Sequence, residues 1–384
     1  MKVGIDARFL THPQLGGFKS YTVNLVAALS KIDSENEYIL YLDRHPNTGD
    51  FIPASPNFHS RVVSVPPVVG LPWREQIKLP RQAIKDRIDL FHSPCLTAPL
   101  NIPCPLVITV HDMIWASPKY FTSRSSWSLK RRFIDWYNYL IPKCAVRRAS
   151  GVITVSNNSK KSILETFDIN TRQIYVTYEA ANMTFQLIDN INLINAVKNK
   201  YMLPSNYILA LGAADPRKNI KKLIQAYSQL QAKLREKYQL AIVWAHPFLT
   251  SEIIKLVEDL GLQKSIHFLH QISNEDLALL YNAASLFVFP SLQEGFGLPL
   301  LEAMSCGAAV IAADNSSIPE IVGDAAILFD AQNINEISSA MAQVLMDYSL
   351  RLTLRNKGIE RATRFSWEQC ARKTIMVYNE LAKV

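Results

Sequence analysis

The chain has 384 residues, of which 48% are hydrophobic, and its 41 lysines and arginines exceed its 33 acidic residues, for a formal net charge of +8. This length predicts two domains, each large enough to bury its own core. No apolar run reaches the roughly 18 residues of a membrane span, and the start at Met1 enters a strand pattern directly, unlike a signal peptide. Five scattered cysteines without a CxxC motif predict free thiols in a reducing cytoplasm and argue against a disulfide framework or a zinc site.

Short apolar runs of strand length recur through the first half of the chain and alternate with helical patterns. Residues 20–31 predict a helix, because Tyr21, Leu25 and Leu29 lie on one helical face. Continuous apolar strands between helices are typical of a parallel sheet that is covered on both faces. The predicted strands of this half are Val3–Phe9, Tyr38–Leu42, Val62–Val65, Leu90–His92, Leu106–Val110, Val152–Val155 and Ile174–Thr177.

Three polar segments of the first half follow predicted strands. Gly16 and Gly17 need only form a turn before the helix, and without a GxGxxG motif they do not predict a nicotinamide-binding Rossmann domain. His111 follows Val110 at the carboxyl end of a strand, where open α/β sheets bind ligands, although a lone histidine is usually structural. Ser156 and its neighbours precede a helical pattern, for which an N-cap is the simplest prediction.

Positive charge is concentrated in the first half. Residues 1–190 contain 22 Lys and Arg against 15 Asp and Glu, and residues 115–161 contain ten basic residues and one acid, interleaved with aromatic residues. A basic helix with aromatic residues is able to lie on an anionic membrane surface or to bind a lipid-linked pyrophosphate. A solvated helix face whose aromatic residues pack in the core explains the same pattern. No nucleic-acid-binding motif accompanies the patch, so nucleic acid is not predicted as a partner.

The alternation of strands and helices restarts in the second half. Residues 181–205 lack strand character and are rich in asparagine, so the connection between two domains is predicted there. The first domain is predicted at residues 1–185, the second at 206–366, and a last helix at 367–384. The predicted strands of this half are Tyr207–Leu211, Ala241–Trp244, Ile266–Leu269, Leu286–Phe289, Ala309–Ala312 and Ala326–Phe329.

Two cations stand where the chain is predicted to open a helix after the strand Tyr207–Leu211. The segment reads Asp-Pro-Arg-Lys-Asn, and it contains Arg217 and Lys218. The helix dipole favours anions at this end, so two cations here predict a bound anion. No Asp-x-Asp motif stands at a suitable strand end, so we expect these cations, and no metal ion, to neutralise that anion.

Two carboxylates, Glu294 and Glu302, stand eight residues apart across a glycine turn that joins the strand Leu286–Phe289 to a helix start. The N–H groups of such a helix start favour a phosphate, which the glycines allow to come close. Glu302 is placed to accept two hydroxyl hydrogen bonds from a ribose, and Glu294 to bind a further polyol such as a sugar. The turn and the first helical residue are Gly295, Phe296, Gly297 and Leu298.

From Pro290 to Gly307 the chain reads Pro-Ser-Leu-Gln-Glu-Gly-Phe-Gly-Leu-Pro-Leu-Leu-Glu-Ala-Met-Ser-Cys-Gly. This segment resembles the Glu-x7-Glu signature of the retaining glycosyltransferases of the GT-B fold, in particular glycosyltransferase family four. Phe365-Ser-Trp367 and the two strand–helix halves extend the resemblance over nearly the whole chain. It implies an α/β fold of two doubly wound, Rossmann-like domains that face each other across a cleft. It also implies that the helix at residues 367–384 crosses back to the first domain.

The resemblance assigns roles in binding the donor. Arg217 and Lys218 are expected to neutralise the donor pyrophosphate, and the backbone at Gln271 and Ile272 is expected to read the nucleobase. Many members carry an arginine where this chain has Ala213, so the phosphate load is expected to fall on the two cations.

Other roles concern the sugar and the acceptor. His111 is expected to contact the transferred sugar, and it need not be a general base, because retaining transfer can use a phosphate oxygen of the donor. The loop of Gly16 and Gly17 is expected near the donor phosphate and the acceptor. The catalytic group is thus predicted as Glu294, His111, Lys218 and Arg217.

These features predict transfer of a hexose from a nucleotide-diphospho-sugar to a hydroxyl of a glycan or a lipid-linked acceptor in surface polysaccharide synthesis, without a metal or other cofactor. UDP-glucose is favoured as the donor, followed by GDP-mannose, only because members of the family commonly use these donors. Two alternatives stay open: a GT-B nucleotide-sugar epimerase, which needs no acceptor, and a non-catalytic nucleotide-sugar binder. The predicted location is cytoplasmic, with the segment 115–161 as a candidate contact to the membrane's inner face.

Overall fold

The structure is a computed structural model that describes residues 1–13, 16–65, 70–116 and 129–382, without the side chains of 129–132. The chain divides into two compact units. The first consists of Met1–Glu179 together with Ser366–Val384, and the second of Ala180–Phe365. Residues 181–205, predicted as a connection, belong to the second unit and contain a helix, Ile191–Lys200, that packs on the helix Asn274–Ala283.

The first unit is built on a parallel sheet of seven described strands in the order β3-β2-β1-β4-β5-β6-β7. Its inner strands are buried on both faces and mostly apolar, as the continuous apolar runs predict, although the strand Leu90–Ser93 also buries His92 and Ser93. The chain starts at the centre of the sheet, winds to one edge and then to the other, which makes the sheet doubly wound. The strands are β1 (Lys2–Ile5), β2 (Glu37–Leu42), β3 (Phe58–Val62), β4 (Leu90–Ser93), β5 (Leu106–Val110), β6 (Gly151–Thr154) and β7 (Ile174–Val176).

Helices cover this sheet. The helix at residues 17–32 buries the apolar face that its sequence predicts. The α-helices of the first unit are Arg8–Thr11, Gly17–Ile32, Gly70–Trp73, Leu79–Asp86, Leu129–Arg148, Asn157–Thr166 and Trp367–Leu381. Short 3-10 helices are Ile114–Ala116 and Thr171–Gln173, and a π-helical turn is Arg74–Lys78.

The last helix completes the first unit. Trp367–Leu381 packs on Gly17–Ile32, and the Tyr378 hydroxyl lies 2.6 Å from Nδ1 of His92 on β4. Gly151 leaves room for Leu381, whose Cδ1 would lie 2.5 Å from a Cβ at that position. The first unit is therefore made from two separate stretches of chain.

The second unit is also a doubly wound parallel sheet, with six described strands in the order β10-β9-β8-β11-β12-β13. The strands are β8 (Tyr207–Gly212), β9 (Gln239–Trp244), β10 (Ile266–Leu269), β11 (Leu286–Phe289), β12 (Val310–Ala313) and β13 (Ala326–Phe329). Its α-helices are Ile191–Lys200, Ile220–Ser228, Ala232–Lys237, Ser251–Asp259, Asn274–Ala283, Leu298–Ser305, Ile318–Val322, Ile334–Met346 and Tyr348–Ala362, and Pro216–Lys218 is a 3-10 helix.

The helices of the described residues are all too short or too polar to cross a membrane.

Candidate functional site

The residues predicted to bind the donor lie at the carboxyl edge of the second sheet. β8 pairs with β9 on one side and with β11 on the other, so the chain departs in opposite directions at this point. Open α/β sheets bind ligands at such a switch point. The Leu292 N–H donates to the Arg217 carbonyl at 2.8 Å, which ties the loop after β11 to the loop after β8. The two segments that the sequence singled out separately therefore form one surface.

The glycine turn leads into the helix Leu298–Ser305 as predicted. Gly297 is the N-cap at φ 110°, a left-handed conformation that favours glycine. Pro299 occupies the first turn and has no N–H, and the Leu300 N–H donates to the Gly297 carbonyl. The backbone N–H groups of this segment that could donate hydrogen bonds to a phosphate are therefore expected to be those of Gly295 to Leu298.

Two serines that the sequence reasoning missed hold the turn from outside. The Ser317 hydroxyl donates to the carbonyls of Glu294 at 3.1 Å and Phe296 at 2.8 Å, while the Glu294 N–H donates to the Ser316 hydroxyl oxygen at 3.1 Å. Both serines lie in the loop after β12, three and four residues beyond its end, and polar residues near a strand's carboxyl end are the signal that could have found them. They orient the backbone from which the Glu294 side chain projects.

Lys218 and Glu294 form an ion pair, with Nζ 2.7 Å from Oε1 and side chains 26% and 16% exposed. The sequence predicted a separate role for each, the cation toward phosphate and the carboxylate toward sugar. In the structure each neutralises the other. An anion that draws Lys218 away would leave the Glu294 carboxylate available to sugar hydroxyls, so the pair would couple the two predicted binding events.

Arg217 is paired as well. Its Nη2 lies 2.6 Å from Oδ2 of Asp215, and Oδ1 of Asp215 accepts from the Arg217 N–H at 3.0 Å, so that Asp215 is the N-cap of the 3-10 helix. Burial opposes ionisation of Asp215, but the hydrogen bonds from Arg217 keep its pKa below the usual value. The helix dipole that was expected to disfavour this cation is therefore offset within the chain by Asp215.

Glu302 lies one turn into the helix Leu298–Ser305 and is partly buried. The Tyr281 hydroxyl donates to its Oε2 at 3.4 Å, a long contact. Burial raises the pKa of Glu302 to about 7, although the hydrogen bond from Tyr281 acts to lower it. The carboxylate is thus held in a poorly solvated position where additional hydrogen-bond donors would stabilise its charge.

The predicted nucleobase segment, Gln271 and Ile272, follows β10. Gln271 adopts φ 54°, the left-handed region, which turns the backbone sharply at this point. Next to it, Nδ1 of His270 lies 2.8 Å from the His246 carbonyl, and Nδ1 of His246 accepts from the Phe248 N–H at 3.2 Å. The histidine at position 246 thus joins the loops after β9 and β10.

In the first unit, Gly16 is the N-cap of the helix Gly17–Ile32, at φ 140°. Among the described residues, none comes within 4 Å of a Cβ built at Gly16 or Gly17. The turn therefore needs glycine at position 16 for its backbone angle and leaves room beside both glycines. Ser156 caps the helix Asn157–Thr166 by accepting from the Ser159 N–H, as predicted.

His111 follows β5, as predicted, and is largely buried. Its Nδ1 lies 3.1 Å from Glu179 and its Nε2 3.2 Å from the Pro94 carbonyl, and its ring meets Phe18 and Tyr21 edge-on. Burial alone would lower the pKa of His111, but the hydrogen bond and charge of Glu179 raise it above the usual value. Sequence reasoning missed Glu179, which stands 68 residues from its partner.

The structure thus assembles Arg217, Lys218, Glu294 and Glu302 at one sheet edge of the second unit, and His111 beside Phe18, which follows Gly16 and Gly17, in the first. No group of three or more His, Cys, Asp or Glu suited to a metal ion occurs in the described part of the chain.

Family models match both halves. Residues 15–184 match the model of glycosyltransferase family 4, and residues 195–361 match that of glycosyl transferases group 1. The two matches lie largely in the first and the second unit, respectively.

Curated relatives include two mannosyltransferases of Escherichia coli. Serotype-specific mannosyltransferase WbdA is 32% identical over 284 residues, 73% of this chain and 34% of that protein. O-antigen chain mannosyltransferase B is 29% identical over 394 residues, 99% of this chain and 100% of that protein. The chain spans about a third of the length of the first curated relatives that it matches.

Solved structures share the fold over the full length. Sucrose-phosphate synthase of Thermosynechococcus elongatus superposes with a TM-score of 0.74 at 22% identity, covering 99% of this chain and 98% of that one. Alr3699/HepE of Anabaena, solved with UDP and glucose, superposes with a TM-score of 0.74 at 18% identity, covering 99% of each chain. With the signature at residues 290–307 and the matches in both halves, the chain belongs to glycosyltransferase family four and has the GT-B fold.

Proposed function

We propose that the chain transfers mannose from a nucleotide-diphospho-mannose to a glycan hydroxyl, with retention of anomeric configuration, in the synthesis of a surface polysaccharide. The observation that carries this proposal is the Lys218–Glu294 pair at the switch-point edge, with Arg217 next to Lys218 in the chain and Glu302 in the helix that follows the glycine turn. Several matched relatives, including one that aligns over 99% of this chain and 100% of its own length, are mannosyltransferases by name, which supports mannose over the glucose that the sequence alone favoured.

The chemical difficulty in this reaction is the charge of the leaving group. Breaking the bond between the anomeric carbon and the phosphate oxygen leaves both electrons on the nucleoside diphosphate. Lys218, Arg217 and the amides of the glycine turn would stabilise that charge as it develops. Groups fixed in advance act strongly here, at roughly 3–4 kcal/mol for each one removed.

The carboxylates would hold the rest of the donor. Once Lys218 turns to the phosphate, Glu294 accepts hydrogen bonds from sugar hydroxyls, while Glu302 accepts from the ribose. His111 in the first unit is proposed to contact the transferred sugar.

A panel of nucleotide-sugars tests this function. GDP-mannose, UDP-glucose, UDP-galactose and the free nucleotides are compared by thermal shift, in which a ligand at 100 times its Kd adds about 2.7 kcal/mol of stability. Each ligand that binds is then incubated with and without an oligosaccharide acceptor, and the product linkage is assigned by NMR. GDP-mannose is expected to bind and to yield an α-mannosidic product only with an acceptor.

The other outcomes separate the alternatives. Transfer from UDP-glucose would overturn the mannose assignment and restore the first expectation. A changed sugar without an acceptor would identify an epimerase, and binding without any product a non-catalytic binder. The inactive control is Glu294→Gln, which keeps the size of the side chain but not its charge.

We predict that transfer is independent of metal ions, because two cations and a helix start can neutralise the diphosphate. Activity should be unchanged after EDTA treatment. Complete loss on chelation, restored by Mg²⁺ or Mn²⁺, would show that Arg217 and Lys218 do not suffice.

We also propose that the helix Leu129–Arg148 touches an anionic membrane surface. Residues 117–128 and the side chains of 129–132, which supply half of the predicted basic segment, lie outside the described residues. In the described part, Phe133, Ile134 and Trp136 are exposed by 54%, 40% and 55% within about one helical turn, and Arg147 and Arg148 are exposed at the far end. Exposed aromatic residues with cations on one helix favour an anionic interface.

Sedimentation with phosphatidylglycerol vesicles tests this contact. The protein should pellet with vesicles at low salt and leave them at high salt, since each Lys or Arg near the surface contributes about 1 kcal/mol and salt screens it. Phe133→Ser/Trp136→Ser should weaken binding at every salt concentration. The matched control is Met346→Ser/Tyr348→Ser, which removes two exposed hydrophobic residues from the second unit. If the unaltered protein stays in the supernatant at low salt, the helix face is only solvated.

A further inference from the structure

Both ring nitrogens of His111 face hydrogen-bond acceptors. The Pro94 carbonyl oxygen, 3.2 Å from Nε2, has no proton to give, so Nε2 must carry one. An ionised Glu179, 3.1 Å from Nδ1, also only accepts, so Nδ1 carries another. The ring that satisfies both contacts is the imidazolium cation.

The surroundings of His111 favour this charge from several elements. Glu179 supplies the nearest negative charge, and Asp112, next in the chain, adds a second that also raises the pKa of His111. From β4, His92 stays neutral, since burial and then the charge of His111 lower its pKa to about 3. From the helix Gly17–Ile32, Tyr21 faces the imidazole with its ring at 4.6 Å.

We propose that Glu179 is a positioning residue that keeps His111 doubly protonated and fixes its ring, so that His111 meets the transferred sugar as a hydrogen-bond donor through Nε2–H. This inference rests on the proposed function, in which His111 contacts the sugar. A sugar oxygen that displaces the Pro94 carbonyl receives the same N–H. No proton is transferred in this contact, so His111 does not act as the base of the reaction.

The pair can be tested without any substrate. In ¹⁵N-labelled protein, the imidazole signal of His111 is assigned as the one that disappears in His111→Asn. It should titrate above the ordinary value of 6.5 in the unaltered protein and at a lower pH in Glu179→Gln. Glutamine keeps the length of the side chain, and its amide oxygen can still accept from Nδ1–H, so the ring stays in place without the negative charge of Glu179. The matched control Glu165→Gln, an exposed acid of the same unit, should shift nothing.

The effect on transfer is then read from the pH profile of kcat. The loss of rate at high pH should move to lower pH in Glu179→Gln by the same shift that NMR measures. In the His111→Asn background, Glu179→Gln should change nothing further, because Glu179 acts only through His111.

Three results would overturn the inference. The first is an equal His111 pKa in the unaltered protein and in Glu179→Gln. The second is a pH profile of kcat that does not move when the His111 pKa does. The third applies if Glu179→Gln does not fold: a His111 pKa at or below 6.5 in the unaltered protein. Because the NMR experiment needs no donor, an inactive protein with the predicted pKa shift would contradict the proposed function while the pairing of Glu179 with His111 stands.

Discussion

Lys218→Ala should lower kcat by about 10²- to 10³-fold, the cost of removing one preorganised group from a developing charge. The affinity for the nucleoside diphosphate should fall much less, because negative charge on the diphosphate grows as the sugar departs and the lysine therefore acts most strongly in the transition state. Single-turnover rates and calorimetric Kd values on the same preparations measure the two effects separately.

The effect of Lys218→Ala includes the loss of the ion pair that Lys218 forms with Glu294. Removal of the lysine leaves Glu294 without its cation at 2.7 Å, so Lys218→Ala/Glu294→Gln is needed to distinguish lost phosphate contact from a misplaced carboxylate. Lys221→Ala is the matched control, since Lys221 is three residues away and pairs with Glu252. Equal losses in kcat and affinity would make Lys218 an ordinary binding residue. If Lys218→Ala is as active as the unaltered protein, the charge of the leaving group is instead stabilised by Arg217.

Glu302→Ala should weaken nucleoside diphosphate binding by about 1.5–3 kcal/mol for each ribose hydrogen bond lost, or roughly ten- to hundredfold per bond. The carboxylate is the better acceptor, and its pKa in the free protein is about 7. Binding to the ionised form therefore requires loss of a proton below pH 7, and the affinity should fall by up to tenfold per pH unit on acidification. Calorimetry from pH 5.5 to 8.5 measures this slope.

Glu302→Gln serves as the control. It cannot ionise, so its nucleotide affinity should be independent of this titration. Between the unfolded value of 4.5 and the folded value of about 7 the unfolded chain releases its proton first, so Glu302 destabilises the fold as pH rises through this window. Glu302→Gln should therefore be at least as stable as the unaltered protein at pH 8. A sloping affinity in this variant, or unchanged binding in Glu302→Ala, would remove the ribose role.

Local sequence predicted the strands best where apolar runs end in turn residues. Leu106–Val110, Ile266–Leu269 and Leu286–Phe289 have the predicted bounds. β3 was predicted at Val62–Val65 but spans Phe58–Val62, because it is an edge strand whose middle residues are exposed and give no apolar signal. β1 was predicted to reach Phe9 but ends at Ile5, since the chain turns into a short helix at Arg8.

The grouping of site residues was predictable because the carboxyl ends of parallel strands share one edge. Their pairing was not. Lys218 and Glu294 are 76 residues apart, and nothing in either local segment specifies the other. The same holds for His111 and Glu179, so the positions of the polar groups were accessible from the sequence but their charge states were not.

The discontinuous first unit has a consequence for how the protein is made. A ribosome completes residues 1–179 and then all of 180–365 before it reaches the helix that supplies Tyr378 and Leu381. At about 5–20 residues per second, that interval lasts roughly 10–40 seconds. The second unit has its whole sequence available and can fold during this time, while the nascent first unit displays the apolar surface that the helix will cover. Aggregation during synthesis is therefore expected to begin at the helix Gly17–Ile32, and a chaperone that shields this surface would act on an intermediate whose timing is set by translation.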